Sequence, residues 1–122
     1  MSIPSQLACY LAVADSLVDT DQAMIRRRVV AANPELAGAP LADLLSAADY
    51  DGAMHWTDPF HDEHPGLATN TGIEHGLDPA TAQHVGRVAV MALALAGDGV
   101  PRRTRVELLV RVTARRMTGD VS

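Results

Sequence analysis

A chain of 122 residues with 48% hydrophobic composition is long enough and apolar enough to bury a core without disulfides or structural metals. Its single cysteine, Cys9, excludes an intramolecular disulfide, and its formal net charge of −5 argues against binding to nucleic-acid phosphates. No apolar run reaches the roughly 20 residues of a membrane span, and no basic region precedes the first apolar run. We therefore expect a single cytoplasmic domain, 1–122.

The first helix is predicted over residues 5–18. Apolar residues recur there at helical spacing, and we expect this stripe to face the core: Leu7, Tyr10, Leu11, Ala14, Leu17 and Val18. Cys9 lies beside the stripe, where a small buried hydrophobe is favoured over a nucleophile.

Two further helices are predicted over 21–32 and 40–49. The residues at 19–21 (Asp-Thr-Asp) offer N-cap oxygens for the second helix, and Pro40 suits the first position of the third. Arginines at 26, 27 and 28 fan around the second helix, which favours a solvated face over a nucleic-acid site.

Asp78 followed by Pro79 predicts the start of a fourth helix, 79–96, with Gly97 as a left-handed C-terminal residue. Its second half, VAVMALALA, is apolar on every side, so we expect it to be the central helix of the fold. The spacing of Thr104 and Glu107 predicts a capping box that opens a fifth helix, 104–117. Its inner face is expected to hold Val106, Leu109, Val110, Thr113 and Met117, widened by Leu108 and Val112.

The segment 50–78 is predicted to be irregular because it contains Asp-Pro, His-Pro-Gly and Thr-Asn-Thr-Gly turn signals. A short helix around residues 66–76 is the alternative for part of it. Strand signals are nearly absent from the chain. The expected fold is all-α, with about five helices packed around 79–96 and a long irregular His-, Asp- and aromatic-rich loop between the third and fourth helices.

That segment also holds candidate metal ligands. Imidazole and carboxylate groups that zinc or iron would use occur at His55, His61, Asp62, His64 and His75. Their spacing matches no established metal motif, so we expect no cofactor. A metal-binding protein or small metal-dependent hydrolase, with zinc or iron, is the alternative hypothesis.

Three of the four aromatic residues, Tyr50, Trp56 and Phe60, also cluster in this part of the chain. They can fold back over the aliphatic core as a plug. They can instead be exposed anchors for a partner, since Tyr and Trp are enriched in binding hot spots.

Charge divides the chain into opposed blocks. Residues 33–86 carry nine acids and no lysine or arginine, whereas 87–122 carry seven arginines and three acids. The arginines that would bind a partner protein, or the acidic segment of a second copy, are Arg102, Arg103, Arg105, Arg111 and Arg115.

No phosphate loop, nucleophile elbow or dinucleotide fingerprint is present in the sequence. The leading hypothesis is therefore a small acidic, non-catalytic helical protein that acts through protein–protein interaction. It would serve as an adaptor, regulatory or assembly component, with a homo-oligomer as one form.

Overall fold

The structure is a computed structural model that describes residues 6–50, 58–97 and 99–119. Across these ranges it contains seven α-helices and no strand. They are α1 (Gln6–Ser16), α2 (Asp19–Ala32), α3 (Leu41–Tyr50), α4 (Asp58–Glu63), α5 (Leu67–Glu74), α6 (Pro79–Ala96) and α7 (Arg103–Thr118), with a 3-10 turn at Pro34–Leu36. The all-α prediction is confirmed. The expected five helices become seven because 50–78, predicted to be irregular, contains α4 and α5. Of these, α5 lies within 66–76, where a short helix is the alternative prediction.

The other helices pack around α6. Eleven of its 18 residues are buried, and it contacts α1, α2, α3, α5 and α7. Because its second half, VAVMALALA, is apolar around the whole circumference, every side of that half gains from contact with a neighbour. The predicted central position of this segment is confirmed. Over the described ranges, no helix combines the length and apolarity needed to cross a membrane.

The start of α6 is capped as predicted. The Asp78 carboxylate accepts hydrogen bonds from the Thr81 backbone N–H (3.3 Å) and from the Thr81 hydroxyl (2.6 Å). These bonds favour the ionised carboxylate, the hydroxyl most strongly, and they lower the pKa of Asp78 below its ordinary value. The other end of α6 differs from the prediction, because Gly97 is extended (φ −115°, ψ −167°) rather than left-handed.

The contact between α5 and α6 is the most extensive of any helix pair in the described structure, and small residues form it. A Cβ added at Gly86 would lie 2.9 Å from Ala68 Cβ, and one added at Gly72 would lie 3.0 Å from Ala82 Cβ. Each helix thus presents a glycine and an alanine four residues apart to the other. The Thr-Asn-Thr-Gly run predicted a turn, but Gly72 is a helical residue that permits this close approach.

The first helix buries only half of the predicted stripe: Tyr10, Ala14 and Leu17 are buried as expected. Leu7, Leu11 and Val18 are exposed, at 53%, 46% and 60% of their surface. The side that faces the core holds Cys9, Tyr10, Val13, Ala14 and Leu17. Because α1 carries apolar residues around most of its circumference, spacing alone does not select which side meets α3, α6 and α7.

Two predicted helix starts are also wrong. No side chain caps α2: it begins at Asp19 after Val18, and Gln22 Nε2 instead donates to Ala14 O and Leu17 O, both at 3.0 Å. The capping box of Thr104 does not form, since α7 begins one residue earlier, at Arg103. In both cases extended backbone at the preceding residue starts the helix without a capping side chain.

The arginines of α2 are only partly solvated, contrary to expectation. Arg26 Nη1 donates to Ala39 O at 2.7 Å. Arg28 Nη1 donates to Leu95 O at 2.8 Å and also to Gly97 O, so it satisfies carbonyls at the C-terminal end of α6. Only Arg27 is exposed as predicted.

We expect Gly86→Ala to lower the free energy of unfolding by about 1–2 kcal/mol, because overpacking outweighs the gain in helix propensity. The added methyl would also lie 3.2 Å from the Ala68 backbone carbonyl carbon, which has little freedom to move. Gly99→Ala is the matched control, since nothing lies within 4 Å of its Cβ position. Urea denaturation measures both, and equal stabilities would contradict the close contact.

We expect Asp78→Ala to destabilise the protein at neutral pH and to matter progressively less in acid. The folded-state pKa of Asp78 is lowered, so its stabilising contribution is present above the ordinary aspartate pKa and is lost as the pH falls through the folded value. Urea denaturation of wild type and variant from neutral to acidic pH measures the difference. Asp62→Ala, at an exposed carboxylate, is the control. A difference that grew on acidification would contradict the assignment.

Candidate functional site

An open cleft of about 380 Å³ lies between α5 and the first turns of α7. Its lining comes from the acidic segment and from the arginine-rich helix: His64, Pro65, Leu67, Asn70, Thr71, Glu74, Arg103 and Glu107. Arg103 Nε donates to Glu107 Oε1 at 2.6 Å, and the Thr71 hydroxyl donates to Leu67 O at 2.8 Å. These polar groups are therefore already partnered within their own helices.

The predicted partner-binding arginines fall into two groups. Arg103 pairs with Glu107, and Arg105 pairs with Asp21 of α2. Arg102, Arg111 and Arg115 are exposed, and the described part of the chain provides no ion pair for them. The first group therefore has ion-pair partners within this chain, whereas the second group is exposed and has none among the described residues.

Two of the exposed arginines, Arg111 and Arg115, share one side of α7 with a leucine. Thr104, Leu108, Arg111 and Arg115 follow the spacing i, i+4, i+7 and i+11, and all four are exposed. We call these four residues the outer face of α7. Leu108 was expected to widen the buried side of the helix, but 51% of its surface is exposed. The signal that could have placed it outside is its helical spacing with Arg111 and Arg115.

The predicted aromatic anchors are not available as a group. Phe60 is completely buried in α4, where the His64 ring centroid lies 4.9 Å away and the His61 ring meets it edge-on at 5.9 Å. Its predicted role in partner binding is therefore corrected, and the alternative of a plug over the core describes this residue. Trp56 and the side chain of Tyr50 lie outside the described residues.

The candidate metal ligands do not converge in the part of the chain that the structure describes. There, no three His, Cys, Asp or Glu side chains are grouped so that they could hold a metal ion. His61 and His64 contact Phe60, while His75 Nδ1 lies 2.9 Å from Thr71 O at the end of α5. Asp62 is exposed at the end of α4, and His55 lies outside the described residues.

Cys9 is a core residue, as predicted. Only 1% of its surface is exposed, and burial raises the pKa of its thiol, with a smaller contribution from the negative charge of Asp78. A protonated thiol without access to solvent packs as a small apolar group.

Comparison with protein-family models, with curated proteins and with solved structures finds no match to this chain. A function for it must therefore be argued from its own side chains.

We expect Phe60→Ala to destabilise the fold far more than Leu108→Ala does. Removing the buried ring should lower the free energy of unfolding by about 3–5 kcal/mol, because it leaves a cavity in the core. Removing the half-exposed leucine should cost less than about 1 kcal/mol, because little buried surface is lost. Thermal or urea unfolding measures both. A Leu108→Ala variant as unstable as Phe60→Ala would mean that Leu108 belongs to the core.

Proposed function

We propose that the protein acts without catalysis, by binding another protein through the outer face of α7. The observation that carries the proposal is Leu108, a leucine exposed over half of its surface, with exposed arginines one and two turns after it on the same side of α7. Exposed apolar surface beside charged side chains is common in protein interfaces. The described residues offer Arg111 and Arg115 no ion pair, which leaves their charge to interact with a partner.

The energetics define what such a partner must offer. Covering the exposed half of a leucine side chain contributes only about 1 kcal/mol, so Leu108 alone cannot hold a complex. Arg111 and Arg115 add ion pairs to carboxylates, and their aliphatic stems can pack beside the leucine. The partner should therefore present an apolar side chain opposite Leu108 and carboxylates opposite the arginines.

A protein partner is favoured over a nucleic acid for two reasons. The net charge of the chain is −5, which opposes phosphate binding at long range. In addition, a phosphate backbone offers no apolar surface that could cover Leu108, whereas a protein surface can.

Photo-crosslinking in the cells that make the protein tests the proposal. A photoreactive phenylalanine analogue placed at Leu108 should crosslink to a defined protein, and Arg111→Glu with Arg115→Glu should abolish that crosslink. The same analogue at Gln83, an exposed residue of α6, is the matched control. A pattern at Leu108 identical to that at Gln83, or one unchanged by the arginine substitutions, would overturn the proposal.

A further inference from the structure

A second group of exposed residues lies on α5 and at the end of α4. Ile73 is 42% exposed, and the exposed residue Glu74 follows it. Two more exposed acids, Asp62 and Glu63, end α4 just before α5 begins. We call Asp62, Glu63, Ile73 and Glu74 the acidic patch. The described residues offer these three carboxylates no ion pair, so the patch matches the outer face of α7 with the opposite charge.

The two surfaces are connected through the cleft between α5 and α7. Glu74 of the acidic patch lines the cleft together with Arg103 and Glu107, where α5 and α7 are in contact. Arg111 of the outer face follows Glu107 by one turn on the same side of α7. One residue of the acidic patch therefore lines the cleft, and one residue of the outer face lies a turn beyond its lining.

We propose that the partner at the outer face of α7 is a second copy of this chain, an inference that rests on the proposed function. A two-fold axis at the cleft would set the outer face of each copy against the acidic patch of the other. Leu108 would then meet Ile73, and Arg111 and Arg115 would meet carboxylates. Such a contact is made twice and closes as a dimer.

Charge selects this arrangement among the possible self-contacts. Two outer faces packed together would oppose arginine to arginine, and two acidic patches would oppose carboxylate to carboxylate. Of these three pairings of the two surfaces, only that of the outer face with the acidic patch is attractive. Because the ion pairs would lie at the edge of the contact, added salt should weaken the dimer.

A charge exchange tests the inference with purified full-length protein. Sedimentation velocity at low salt, over a wide concentration range, should detect the wild-type dimer. Arg111→Glu with Arg115→Glu, and separately Glu63→Arg with Glu74→Arg, should each raise the dimer Kd by roughly tenfold or more. An equimolar mixture of the two variants should recover the dimer, since both contacts of the mixed pair are again attractive.

The controls separate charge complementarity from folding and from net charge. Arg27→Glu and Glu35→Arg change charge at exposed sites outside both surfaces and should leave the dimer intact. Leu108→Ala should weaken it without altering charge, and circular dichroism should show all variants folded.

A wild-type protein that stays monomeric, or a mixture of the variants that fails to associate, overturns the dimer. The proposed function fails separately, through the crosslinking at Leu108. A crosslink to a different protein, together with a monomeric wild type, retains the proposed function and rejects only the second copy as the partner.

Discussion

The close approach of α5 to α6 is the contact on which the arrangement of the other features depends. Where Gly86 faces Ala68 and Gly72 faces Ala82, the two backbones approach to a distance that larger side chains would not allow. Only 3% of the residues are aromatic, so the core consists mainly of small aliphatic side chains. Such side chains make enough van der Waals contacts only where the helices that carry them pack closely together. By fixing α5 on α6, the same contact places the acidic segment beside α7 and creates the cleft between them.

The arginines show how a small helical core uses polar side chains for different purposes. Arg26 and Arg28 donate to backbone carbonyls, and in doing so they tie α2 to the chain before α3 and to the end of α6. Arg105 links α7 to the start of α2 through Asp21. These contacts serve the fold, because each satisfies a group that a helix end leaves open or joins two elements. Other arginines of α7 have no such internal role in the described structure.

The sequence predicts those parts of the fold that depend on local signals. Asp78 and Pro79 start α6 as expected, and four of the five predicted inner residues of α7 are buried: Val106, Leu109, Val110 and Thr113. It fails where a residue's role depends on a distant neighbour. The sequence around Gly72 predicts a turn, and only the position of Ala82 opposite it explains a glycine within a helix. In α1, apolar residues lie on two sides, and their spacing does not show which side is buried. Asp58 and Pro59 form the same dipeptide as Asp78 and Pro79. In the segment 50–78 this dipeptide is interpreted as a turn signal, but it lies at the start of α4. For the candidate site, the arginines are visible in the sequence, but the exposure of Leu108 is not.

Local stability explains only part of the outer face of α7. Arg115 lies in the last turn, where a cation interacts favourably with the helix dipole, so the isolated helix already gains from it. Arg111 lies a turn earlier and receives little of that effect, and it has no ion pair in the described structure. Leu108 exposes half its surface, although a polar residue there would cost the core little. On the outer face of α7, helix stability therefore does not account for Leu108 and Arg111, and an intermolecular contact at this face would give both a physical role.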